Sequence, residues 1–167
     1  GEQFFIEANE LKRNNPQAYQ HEYLGEVTGT GGEVFTNLVL RKITDKEIAA
    51  FDRISRGLDW GFAVDPLHYT VNHYDSRKKE LYIFYEIHKT GLSNRKAAEL
   101  IKAENKSNKI VICDSAEPKS ISELNDYGIR VIGAKKGPDS VEYGIKWLQD
   151  LRRIVIDPQR CPNTAKE

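Results

Sequence analysis

Two short apolar runs each close on an aspartate: Ile54-Ser55-Arg56-Gly57-Leu58-Asp59 and Lys109-Ile110-Val111-Ile112-Cys113-Asp114. Such a run, ending in an acid and then in turn-forming residues, reads as a buried strand that delivers a carboxylate to a sheet edge. Two such strands side by side hold two carboxylates close together, and a cation between them relieves the repulsion. The pair predicts a divalent-metal site. It also restricts the fold to sheets in which these two strands are neighbours.

The rest of the chain supplies the other elements of such a sheet. Residues 2–22 are polar and helix-prone, with a break at Asn15-Pro16 and a Gly-rich loop at Gly29–Gly32. Val34 to Ile43 alternates loosely and reads as a strand or hairpin arm. Thr44, with Glu47 three residues on, has the form of a capping box opening a short helix that runs to about Phe51. Strands are then expected at 53–60, 68–74 and 80–88, the last two joined by the charged turn Asp75–Lys79 and so antiparallel. A helix at 93–105, with Ala97, Leu100 and Ile101 on one face, precedes the strand 109–114. A helix at 118–127, a strand at 128–132, a helix at 140–151 facing inward through Val141, Ile145 and Leu148, and a strand at 153–156 follow. Thr164 begins a further helix.

This β-β-β-α-β-α-β-α-β pattern predicts an α/β fold with a mixed sheet and helices on both faces. Right-handed crossovers give the strand order 3-2-1-4-5 with strand 2 antiparallel, the ribonuclease H-like architecture. In that order the carboxyl ends of strands one and four are neighbours, and Asp59 meets Asp114 where the connections leave in opposite directions. Residues 1–50 are expected to form a lead-in segment with short helices and a strand. Residues 51–167 are expected to form the ribonuclease H-like domain.

Length and composition exclude several classes. A chain of 167 residues, 39% hydrophobic and 30% charged, can bury one real core. No apolar run reaches the length of a membrane span, and the first residues are too polar for a signal peptide. The two cysteines, Cys113 and Cys161, make no disulfide framework, and an intracellular setting is expected. The formal net charge is zero, so a nucleic-acid partner requires basic residues gathered on one face. The chain starts at Gly1 and has no methionine, and both ends read as cut from something longer.

Gly57 and Gly61 flank Asp59 and allow a ligand to approach the backbone, while Asp65-Pro66 reads as a turn. Asp59 satisfied by local amides, and Asp114 acting only as a helix cap, are the plainer readings of the same residues. Glu117, three residues after Asp114, could assist metal or water, but it better suits the first turn of a helix with Pro118, and Ser115 or Glu117 could cap that helix. Glu86, in the neighbouring strand between Tyr85 and Ile87, could approach the same site, and reads more plainly as a solvent-facing strand acid. Lys135-Lys136-Gly137-Pro138 is a basic turn suited either to phosphate or to plain solvation. None of His21, His68, His73 and His88 has metal-ligand spacing to another, and there is no zinc motif, Walker A loop or G-x-S-x-G elbow.

Three motifs in order carry a resemblance: Gly57-Leu58-Asp59-Trp60-Gly61-Phe62 with Asp65-Pro66, then Cys113-Asp114-Ser115-Ala116-Glu117-Pro118-Lys119-Ser120, then Gly133-Ala134-Lys135-Lys136-Gly137-Pro138 before Gly144-Ile145. With the lead-in His21–Glu26 and the ending Cys161-Pro162-Asn163-Thr164, nearly the whole chain resembles the C-terminal nuclease domain of the large terminase subunit of tailed bacteriophages. The resemblance implies a metal-dependent endonuclease that cuts concatemeric viral DNA during packaging, with Mg²⁺ or Mn²⁺ in a two-metal site. It implies Asp59 and Asp114 as catalytic, metal-binding acids, with Asp59 bridging and a third acid on a later helix beyond the end of this chain. Lys119, Lys135 and Lys136 are the DNA-binding candidates. The implied partners are double-stranded DNA, the terminase small subunit, the portal protein and an N-terminal ATPase domain absent from this chain, all in the host cell cytoplasm. The zero net charge predicts weak DNA binding by the isolated domain.

Three rival readings have distinct signatures. A resolvase or transposase nuclease shares the fold and the acids and differs in substrate. An actin-like or sugar-kinase-like ATPase domain needs Gly-rich phosphate loops that the sequence lacks after the strand 109–114. A nuclease fold used only for docking lacks the chemistry and keeps the surface.

Overall fold

A computed structural model describes residues 34–61, 65–114, 117–135 and 137–166. The proposed helices before Glu22, the loop at Gly29–Gly32, His21, Phe62–Val64, Ser115, Ala116 and Lys136 lie outside the described residues. Among these residues seven strands form one sheet: β1 (Leu38–Leu40), β2 (Ile54–Asp59), β3 (Leu67–Asp75), β4 (Glu80–Lys89), β5 (Val111–Cys113), β6 (Val131–Gly133) and β7 (Arg153–Ile156). Among the described residues five helices accompany them: α1 (Asp45–Ala50), α2 (Asn94–Glu104), α3 (Pro118–Asp126), α4 (Ser140–Asp150) and α5 (Pro162–Lys166).

The sheet order is β1-β7-β4-β3-β2-β5-β6. Its β4-β3-β2-β5-β6 portion is the expected 3-2-1-4-5 order, and β3 alone among the seven runs antiparallel to its neighbours. The mixed sheet with helices on both faces is ribonuclease H-like. β7 adds on beside β4, and β1 pairs with β7 in parallel. The strand β1 and the helix α1 both come from the segment expected as a lead-in with short helices and a strand. The strands expected at 109–114 and 128–132 are shorter, at Val111–Cys113 and Val131–Gly133.

Local chemistry sets the ends of these elements. Thr44 and Glu47 close a capping box on α1, each side chain answering the other's backbone N–H. Ser93 caps α2 through the Lys96 N–H at 3.1 Å. Asp75 Oδ1 accepts the N–H groups of Arg77 and Lys78, and Lys79 takes φ +54, which together turn β3 back into β4.

Two cores lie on opposite faces of the sheet. On the first, Leu58, Tyr69, Val71, Phe84, Val111, Cys113, Val131 and Val155 pack against α1, α2 and α3 through Ile48, Ala97, Ile101 and Leu124. On the second, Leu81, Ile83, Ile154 and Ile156 pack against α4 and α5 through Leu148 and Ala165. Cover on the second face stops short of β5 and β6, where Ile110, Ile112 and Ile132 remain 44%, 39% and 49% exposed. Asp59 and Asp114 follow residues of the first core by one position, so strand alternation sends both to this second face.

A largely shielded ion pair fixes α2 to the sheet. Arg56 Nε and Nη2 donate to Glu104 at 3.0 and 3.1 Å, and the Tyr69 hydroxyl donates to the same carboxylate. The pair is bidentate and shielded, so it also fixes the orientation of β2, which carries Asp59.

Candidate active site

Parallel pairing of β2 with β5 brings Gly57 alongside Ile112 and Leu58 alongside Cys113. One residue further stand Asp59 and Asp114, at the carboxyl ends of adjacent strands about 4.8 Å apart. Both are partly buried. The two sequence-predicted acids are thus brought together on one face of one sheet edge.

The turn after β2 holds Asp59 in place. Gly61 N–H donates to Asp59 Oδ1 at 3.3 Å, and Gly61 itself has φ +72. A Cβ there would lie 2.5 Å from the Asp65 carbonyl oxygen and 2.6 Å from that of Pro66, so only glycine lets the chain close this turn. Asp65-Pro66 serves as the other side of that close approach.

After β5 the chain enters α3 through Glu117, with Pro118 at the first helical position. The Glu117 side chain makes no capping hydrogen bond, so its expected capping role is not seen. Lys119 is exposed in the first turn of this helix. The Ala134 N–H donates to the Cys113 carbonyl at 2.7 Å, which brings the end of β6 beside Asp114, and Lys135 follows, exposed. Lys119 and Lys135 therefore leave the same edge of the sheet as the two acids.

A further group of side chains adjoins Asp59 on this face. Asp59 is the cross-strand partner of His68, and His68 that of His88. His68 Nδ1 and His88 Nδ1 are 2.8 Å apart, and His68 Nε2 is 3.0 Å from Thr164 Oγ1. Glu86, expected to face solvent, is instead partly buried. Its Oε1 accepts the Asn163 and Thr164 N–H groups at 2.9 and 3.0 Å, at the start of α5. No local pattern signals these contacts, because His68 and His88 share no helical or loop spacing and meet only through strand register.

No helix among the described residues is long and apolar enough to cross a membrane.

The family described as "Terminase RNAseH like domain" matches residues 59–167. The chain is 46% identical over 168 residues to the large terminase subunit of Bacillus phage SPP1, covering 98% of this chain and 40% of that protein. It is 27% identical to the PBSX phage terminase large subunit of Bacillus subtilis, covering 99% of this chain and 39% of the relative. It thus spans about two-fifths of the length of these relatives. Among solved structures, the large-terminase nuclease domain of bacteriophage SPP1, crystallised with bound Mn, superposes with a TM-score of 0.75 at 45% identity, covering 80% of this chain and 77% of that one. The large terminase of a thermophilic bacteriophage, at 17% identity and a TM-score of 0.55 over 72% of this chain and 31% of that one, shares the fold. The sequence motifs, the ribonuclease H-like sheet and these matches agree: the chain belongs to the terminase ribonuclease H-like domain family.

Proposed function

We propose that this chain is a divalent-metal-dependent DNA endonuclease module that cuts concatemeric DNA in phage packaging by two-metal phosphodiester hydrolysis. The observation that carries the reading is the register of β2 and β5, which brings Asp59 and Asp114 level at the edge of the sheet. Two adjacent carboxylates form a hard, all-oxygen donor set, which suits Mg²⁺ or Mn²⁺ better than a softer ion. The SPP1 nuclease domain with bound Mn supports the same assignment.

Ions bound at such a site would activate water and offset charge at the scissile phosphate. The residues of this chain do the positioning. Asp59, held by the Gly61 N–H, would offer the first carboxylate to the ions. Asp114 offers the second carboxylate from the neighbouring strand. Lys119, Lys135 and Lys136 contact backbone phosphates, which favours cutting without strict sequence preference. In the whole protein the partners are an ATPase motor, a small terminase subunit and a portal protein, which keep the DNA resident where a neutral domain alone binds weakly.

The test combines plasmid nicking with direct Mn²⁺ binding, followed by electron paramagnetic resonance. The chain is expected to bind Mn²⁺ and to nick supercoiled plasmid with Mn²⁺ and not with EDTA. Asp59→Asn should lose both properties while keeping its circular dichroism spectrum. An Asp59→Asn protein that binds Mn²⁺ and nicks as well as the parent would overturn the assignment.

A further inference from the structure

We propose a second metal site, separate from the two aspartates, in which His68, Glu86 and His88 hold a divalent transition ion of the zinc class. One potential ligand atom from each of these residues lies within 4.8 Å of the other two. Two imidazoles with one carboxylate are a familiar zinc donor set, and imidazole favours ions softer than Mg²⁺.

A second observation points to a ligand. Glu86 Oε1 is occupied by two N–H groups of α5, whereas Oε2 is buried with no hydrogen-bond partner. A buried carboxylate oxygen without a donor is costly, and a cation satisfies it. His68 is only 6% exposed, and its Nε2 lies against Thr164 Oγ1. With Nε2–H donated to that hydroxyl, Nδ1 presents its lone pair toward His88, the outer-sphere arrangement common to metal-bound histidines.

A tetrahedral ion with bonds of about 2.0–2.1 Å needs its two nitrogens roughly 3.3 Å apart. The present 2.8 Å between the two Nδ1 atoms requires only a small opening of two side chains. In that tautomer the hydrogen between the two Nδ1 atoms belongs to His88, so binding exchanges it through solvent for one at Nε2 and releases no net proton. An open cleft of about 390 Å³, lined by Glu86, His88, Leu100, Arg160 and Asn163, gives the ion a route from solvent. The cleft exists because β7 pairs with β4 only over Glu80–Ile83.

The consequence is mechanical. All three ligands sit on β3 and β4, and two of them already contact the start of α5. The ion ties α5 to the face that carries Asp59.

The test uses the Asp59→Asn, Asp114→Asn double variant, so that the acidic pair cannot contribute, and it is independent of nuclease activity. Equilibrium dialysis with Zn²⁺ is expected to give one ion per chain. X-ray absorption should show two imidazole nitrogens in its shell, and Zn²⁺ should raise the melting temperature where Mg²⁺ does not. His88→Ala, a partly exposed position that leaves the core intact, and the isosteric Glu86→Gln should each weaken Zn²⁺ binding at least tenfold in that background. The site is refuted if the double variant binds no Zn²⁺, or if His88→Ala and Glu86→Gln bind it unchanged.

Discussion

Asp59 on β2 stands directly across from His68 on β3, and both occupy the face of the sheet opposite α2. The acidic pair and the His68–Glu86–His88 group are therefore neighbours along one row of the same sheet, joined by backbone hydrogen bonds rather than by a loop. Any change in how β3 sits between β2 and β4 reaches both.

Proximity of the two acids has a cost when no cation is present. Asp114→Asn removes one of two adjacent negative charges and relieves that repulsion. In EDTA the variant is expected to melt at the same temperature as the parent or higher. With millimolar Mn²⁺ the order should reverse, because only the parent gains stability from binding. Thermal melts in the two buffers check both halves.

Gly61 is a strict requirement of the turn that presents Asp59. Gly61→Ala must adopt φ +72 and thrust a Cβ to 2.5 Å from the Asp65 carbonyl oxygen. Strain of this kind costs on the order of 1–3 kcal/mol, and the backbone must also shift. The urea midpoint is expected to fall accordingly, and Mn²⁺ affinity should fall with it. A substitution in the exposed hairpin, Lys78→Ala, should do neither.

The Arg56–Glu104 pair is well shielded, with side chains 9% and 15% exposed. Glu104→Ala strands the guanidinium and should cost about 3–5 kcal/mol in urea denaturation, as for buried pairs that lose one partner. Glu104→Gln keeps the shape and part of the hydrogen bonding and should cost less.

Burial, reinforced by the hydrogen bond to Glu104, holds the Tyr69 phenol far above its usual range. The native state thus keeps a proton that the unfolded chain releases near pH 10. The stability involved is complete below about pH 10 and is lost as pH rises beyond it. Tyr82 and Tyr85 are shifted the same way, so they add to the slope. Tyr69→Phe is expected to flatten the alkaline loss of stability without removing it, as measured by urea midpoints from roughly pH 8 to pH 11.

What the sequence discloses follows from how local each cause is. Asp59 and Asp114 are readable because a strand end is marked by its own residues, and the crossover rule then puts the two strands side by side. The Asp75–Lys79 turn and the Thr44–Glu47 cap are readable for the same reason. The contact of His68 with His88 is not, because a β-bulge decides it. The register between β3 and β4 shifts between Val71 and Asn72, skipping Phe84. Leu81 and Ile83 face the second core while Phe84 and Ile87 face the first, so the alternation of β4 changes phase at the bulge. That change carries Glu86 and His88 onto the face of Asp59. Simple alternation counted from Leu81 puts both on the other face. The place of β7 beside β4, and of β1 beyond it, is equally non-local, since neither strand carries a mark of its partner.

The DNA-binding candidates among the described residues, Lys119 and Lys135, make the last prediction. Lys119 and Lys135 are exposed on the edge that carries the acids, one from the first turn of α3 and one just past β6. If they contact phosphates, each releases about one counterion on binding, and the logarithm of affinity falls with that of salt by roughly 0.9 per contact. Lys119→Ala and Lys135→Ala should each weaken binding to duplex DNA to a similar degree for unrelated sequences. Each should also reduce the salt slope by about one. Lys102→Ala on α2, on the opposite face of the sheet, should leave the slope unchanged. Fluorescence anisotropy on two unrelated duplexes, titrated across salt concentrations, separates the edge lysines from the control. A slope that does not respond to either edge variant would place the DNA on another surface.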